Sequence, residues 1–197
     1  MDDENAKHHL HRALRQAREA VLWKLDGLGE YDVRRPLTPT ATNLLGLIKH
    51  LAFVEAAYFG TTFDRPVPDA PRWSDLGDDE TADMWARADE SREELVARYR
   101  HVAEHADATI AALPLDAPGH VVHWSAERNP VTLHGMLVHV VAETHRHAGH
   151  ADIVREMVDG AAGRQPGNDN LAPGDAGTWA RYHDRVERAA RDAAGRP

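Results

Sequence analysis

The sequence predicts an all-α protein: a four-helix bundle with a long crossover between its second and third helices and a short C-terminal helix. Three observations carry that expectation. Apolar residues recur at steps of three and four over four separate stretches, which puts them on one side of a helix. Connectors rich in glycine or proline divide those stretches. One connector, residues 60–79, is far longer than a compact domain normally needs.

The first helix is expected from His8 to Leu28, with Leu10, Leu14, Ala17, Val21, Leu25 and Leu28 as its apolar stripe. Gly27 and Gly29 mark its end, and Arg35–Pro39 connects onward. Hydroxyls at Thr40–Thr42 can cap a second helix that runs to Gly60, with Leu44, Leu47, Leu51, Val54 and Tyr58 on its apolar face. Pro66, Pro68 and Pro71 then make residues 60–79 a loop, long enough to return along the bundle and leave the flanking helices parallel. A third helix is expected from Asp79 to Leu113, its first half solvated because of the polar run Asp89–Glu94. Pro114–Pro130 is a mixed connector in which short strand pairing stays open. The fourth helix, Val131–Val158, ends at Asp159–Gly160. The expected units are therefore the bundle, 1–160, and a loop and helix packed on it, 161–197. In that last helix Trp179, Tyr182 and Val186 share a side. Arg181, Arg185, Arg188 and Arg191 read as a solvated face paired with Asp184, Glu187 and Asp192, with an anion-binding stripe as the alternative.

Composition narrows the function. At 197 residues and a net charge of −9, the chain is large enough for one self-sufficient core and too acidic for nucleic acid as a general partner. Its mean hydropathy is −0.56, and its most apolar run, Leu133–Ala142, is broken by His134 and His139, so no membrane span is expected. The acidic N-terminus lacks the apolar stretch of a secretory leader, and the expected location is the cytoplasm. There is no cysteine and there are 14 histidines. A metal site would have to use nitrogen and oxygen ligands.

Helical phase separates the histidines. At about 100° per residue, His147 falls inside the buried arc centred near Val140, and Glu143 falls at its edge. His139 and His150 lie further towards solvent, and His145 is opposite. A carboxylate and a core-facing histidine one turn apart are costly to bury uncompensated, and i, i+4 spacing lets both reach one ion. His50 lies on the seam of the second helix between Leu47 and Val54. In a helix bundle such inward groups converge, so His50, Glu143 and His147 form a candidate two-histidine, one-carboxylate site. The bland alternatives are a hydrogen-bonded core histidine at His50 and an ordinary helix-face pair at Glu143–His147.

Three segments carry a family resemblance: LLGLIKHLAFVEAAYF, HVVAETHRHAGHADIVREMVDG and GNDNLAPGD. They resemble the DinB-like superfamily, above all its actinobacterial branch of mycothiol S-transferases and domains of unknown function, over roughly residues 10–190. The resemblance implies an up-down-down-up bundle with a divalent metal held by positions matching His50, Glu143 and His147. Much of the superfamily has histidine as the middle ligand. Glu143 instead is similar to mycothiol-dependent maleylpyruvate isomerase, which favours the thiol-linked branch. Where many relatives have His-Arg-Gly-Gln, this chain has His147-Ala148-Gly149-His150, so position 150 is open.

A divalent ion can bind a small thiol and hold it as the thiolate, which at a free pKa of about 8.5 is otherwise scarce at neutral pH. Zinc suits this best, and nickel, iron or manganese fit the same ligands. The expected function is metal-dependent transfer of a low-molecular-weight thiol, mycothiol, to small electrophiles. The alternatives are a non-catalytic metal-binding stress-response protein and a metal-dependent hydrolase or isomerase. His139 and His150 are candidates for supporting the ligands or moving protons. Such bundles can form homodimers, although no heptad seam outside the core argues for one here.

Overall fold

The computed structural model describes residues 3–196 and is mostly helical. Helix α1 spans Asp3–Leu22, shifted towards the N-terminus from the expected range, and a 3-10 turn, Trp23–Leu25, follows it. Lys24 in that turn is buried and donates to the carbonyl oxygens of Ala20 and Gly163, which ties the turn to the loop beyond the bundle. A five-residue helix, α2 (Glu30–Arg34), precedes the expected connector.

Helix α3 spans Leu44–Glu55. Asn43 caps it, its side-chain oxygen accepting from the Gly46 N–H at 2.7 Å. All residues of α3 except His50 are buried, because other elements surround it on nearly every side. A π-helical turn, Ala56–Gly60, and a 3-10 turn, Thr61–Phe63, continue the rod past the expected stop at Gly60.

The third long helix does not begin at Asp79. Helix α4 spans Arg92–Ala112, capped by Ser91, and residues 79–91 are turns. The reason is competition for backbone carbonyls. The Met84 carbonyl accepts from Asn43 Nδ2 at 3.1 Å, and the Trp85 carbonyl accepts from Lys49 Nζ at 3.0 Å. A helix there would use both oxygens in its own ladder. The crossover is accordingly longer than expected, running from Asp64 to Ser91 with one 3-10 turn at Trp73–Asp75.

Before the last long helix, strands β1 (Pro118–Gly119) and β2 (Val131–Thr132) pair antiparallel, Pro118 opposite Thr132 and Gly119 opposite Val131. Helix α5 spans Leu133–Asp159, capped by Thr132 and ended by Gly160 at φ 81°. Helix α6, Ala176–Ala193, buries none of its residues, and Trp179, Tyr182 and Val186 stay exposed. The expected packing of this tail on the bundle therefore has no buried anchor.

Helix α1 packs on α5, and α3 packs on both α4 and α5. Two apolar clusters fill the interior, one including Leu45, Tyr99 and Ala151, the other Leu14, Phe59 and Leu137. On α1 a polar residue, Arg18, sits between Leu14 of one cluster and Val21 of the other. Arg18 of α1 donates to both carboxylate oxygens of the fully buried Glu55, at 2.9 and 2.5 Å, and to Asp107 at 2.6 Å. The Tyr99 hydroxyl also donates to Glu55, at 3.2 Å. Burial disfavours both charges, and the bidentate geometry compensates them.

Arg18→Met should therefore cost about 3–5 kcal/mol in urea denaturation by stranding Glu55. The double variant Arg18→Met/Glu55→Leu should recover most of that loss. Equal losses in the single and double variants would contradict the pairing account.

Candidate metal centre

His50 and the pair Glu143–His147 come from α3 and α5, and the packing of those helices brings them together. Nε2 of His147 lies 2.9 Å from Oε1 of Glu143, and Nε2 of His50 lies 3.8 Å from the same oxygen. The two imidazoles meet edge to face, with centroids 4.9 Å apart. One ligand atom from each of the three residues falls within 4.8 Å of the other two. Tetrahedral zinc with bonds of 2.0–2.1 Å separates its ligand atoms by about 3.4 Å, so small rotamer shifts would let the three share one ion.

The protonation states suit a cation. Burial pushes the Glu143 carboxyl up, but His147 and His50 beside it more than offset this and hold it below its ordinary value. Burial, with His50 adding to it, depresses the His147 imidazole despite Glu143, so its lone pair is available at neutral pH. The side chains are 15%, 25% and 8% exposed for His50, Glu143 and His147, so the set opens to solvent on the carboxylate side.

The fourth participant is Asp83, which the sequence reading placed on a solvated helix. Its Oδ2 accepts from Nδ1 of His50 at 2.7 Å and from Nε1 of Trp73 at 2.8 Å. Burial raises the Asp83 carboxyl, and the bonds from His50 and Trp73 outweigh that, leaving it ionised. A carboxylate only accepts, so Nδ1 of His50 carries a proton and Nε2 is the ring nitrogen left facing Glu143 and His147. Gly46 makes the approach feasible. A Cβ there would lie 1.9 Å from the Met84 carbonyl oxygen, so a side chain on this helix face would push the crossover away.

Beside these residues opens a cleft of about 490 Å³ lined by His50, Val54, Tyr58, Trp73, His123, His139 and Glu143. The Tyr58 hydroxyl lies 3.3 Å from Nε2 of His123, and burial raises its pKa. His139, expected near the site, does line the cleft, edge-on to Tyr58 at 4.8 Å and Trp124 at 5.3 Å, and burial lowers its pKa. His150 lies on the other side of His147, with the two Nδ1 atoms 3.3 Å apart. Asn129 holds the loop that carries His123 and Trp124, accepting from the Val121 N–H at 2.9 Å and donating to its carbonyl at 3.1 Å. Among the described residues, no helix is long and apolar enough to cross a membrane.

The sequence model of the mycothiol-S-transferase family matches residues 9–160, which cover all these groups. The chain belongs to the mycothiol-S-transferase family. No curated protein matches it. The match ends with α5, so the exposed α6 lies outside the part that defines this mycothiol-S-transferase family member.

Of the groups around the centre, Asp83, Trp73, Tyr58 and His123 were not read from the sequence as site residues. A glycine inside an apolar helix, Gly46, is the one sequence feature that could have pointed to a close backbone approach there.

His50→Ala and Glu143→Ala, made separately, should each lose bound divalent metal in elemental analysis, and full stoichiometric metal in both would refute the site. Asp83→Asn should weaken zinc affinity by about 10–100-fold in chelator competition, because the amide no longer fixes the His50 tautomer. Unchanged affinity would show that Asp83 has no such role.

Proposed function

We propose that the protein is a metal-dependent transferase that conjugates a low-molecular-weight thiol, mycothiol, to small electrophiles, with His50, Glu143 and His147 holding a divalent ion. The observation that carries this reading is the convergence of two histidines and a carboxylate from two helices inside a chain of the mycothiol-S-transferase family. The up-down-down-up DinB-like arrangement, with residues 64–91 as the crossover, is the topology we assign to the four long helices. The bound ion, zinc in our reading, would supply a positive charge that keeps the thiol ionised at neutral pH.

The protein's own groups do the rest. Asp83 fixes the His50 ring so that its free nitrogen faces the ion's position. Glu143 contributes the negative charge that a purely histidine site would lack. The aromatic edges of Tyr58 and Trp73 narrow the cleft and limit water, which would compete with the thiolate for the electrophile. As the carbon–sulfur bond forms, negative charge grows on the departing oxygen or halide. The Tyr58 hydroxyl, kept protonated by burial, is placed to donate to it, and His123 stands behind to restore the proton. With no cysteine in the chain, the sulfur has to come from the co-substrate. His150, against the back of His147, is read as a positioning residue.

The deciding experiment is a screen of metal-loaded protein with epoxide, halide and activated-alkene electrophiles, in mycothiol, glutathione and no-thiol arms. Conjugate formation confined to thiol arms, above all mycothiol, and abolished by chelation is the expected result. Turnover without thiol would point to a hydrolase. No turnover in any arm, together with a lower Tm on chelation, would point to a metal-stabilised binding protein.

A further inference from the structure

Next to the metal cleft lies a second, larger chamber of about 580 Å³. Trp73 and His123 line both, so the two spaces adjoin at these side chains. The rest of the lining is mostly carbon, with Phe53, Ala57, Val67 and Ala70 among it, and includes the polar Asp69 and Ser74. Its nearby cation, Arg72, is already engaged with Asp75 at 3.0 Å. Away from the shared side chains, further contacts frame the chamber. The His120 N–H donates to the Thr62 carbonyl at 2.8 Å, which joins the two segments that close it, and Ala56 and Val67 pack on Val102 of α4.

We propose that this chamber seats the apolar chain of the electrophile, so that the substrate class is medium-chain alkyl electrophiles such as terminal epoxides. This rests on the transferase reading above. A molecule lying across Trp73 and His123 would have one end among the aliphatic side chains of the chamber and the other beside His50 and Glu143. A polar thiol gains nothing from burial among Ala57, Val67 and Ala70, whereas each methylene buried there is worth up to about a fourfold gain in binding. With an epoxide the thiolate sulfur bonds to the terminal carbon as that carbon–oxygen bond breaks, and the proton released by the thiol ends on the new alkoxide.

The test compares 1,2-epoxybutane with 1,2-epoxyoctane as substrates of the zinc-loaded protein. Alongside it, calorimetry measures binding of octane-1,2-diol, the unreactive ring-opened analogue of the longer epoxide. The expected ratio of kcat/KM, octane over butane, is on the order of 10–100. Ala57→Phe, which fills the chamber, should bring that ratio to within a few-fold and abolish diol binding, and Ala70→Phe provides a second filling variant. Because the ratio compares two substrates on one protein, partial misfolding does not mimic the effect. A wild-type ratio near one, no diol binding to the wild type, or a ratio and diol affinity retained in both variants would overturn the proposal. Diol binding that the variants lose, with no thiol transfer to either epoxide, would support the chamber and refute the transferase reading.

Discussion

One carboxylate organises this protein's candidate centre. Asp83 receives a proton-bearing nitrogen from His50 and another from Trp73, and it lies in a crossover with no regular structure of its own at that point. Without it the His50 imidazole could present either nitrogen, and the Trp73 indole would lose the bond that sets it at the cleft wall. The backbone is arranged to deliver it. Gly46 leaves space for the Met84 carbonyl, Asn43 donates to that carbonyl, and Lys49 holds the next one. All three belong to α3 or its cap, so the helix that offers the ligand also offers the sockets that hold its orienting partner.

The bundle interior applies the same logic at a second place. Arg18, Glu55, Tyr99 and Asp107 form a hydrogen-bonded set that links α1, α3 and α4. A set of buried charges stabilises less than well-packed hydrocarbon would. It does penalise any sliding of α1 against α3, since each donor then loses its acceptor. Helix register is what a centre shared between two helices needs, as His50 and His147 must stay at one height.

Much of this was legible in the sequence, and the failures have a physical pattern. Periodicity located the four long helices, and phase along α5 separated His147 and Glu143 from their neighbours, because a helix repeats its environment every turn. Periodicity also misled at residues 79–91. The polar run near Asp89 resembled a solvated helix face, whereas the carbonyls of Met84 and Trp85 are claimed by side chains some forty residues upstream in α3 and its cap. Contacts of that kind leave no repeat to read. Tyr58 was assigned to the apolar stripe, correctly by burial, but its hydroxyl reaches the cleft, which a stripe does not report. The α6 stripe had the opposite fate: its spacing is amphipathic, and no partner among the described residues buries it.

The crossover between α3 and α4 carries Trp73 and Asp83 only ten positions apart, one walling the apolar chamber and the other steering a metal ligand. Remodelling this loop to admit different molecules would therefore disturb how firmly the ion is retained. Selectivity and metal retention are not independent traits in this scaffold, and lineages or engineers altering one must repair the other in the same stretch of chain.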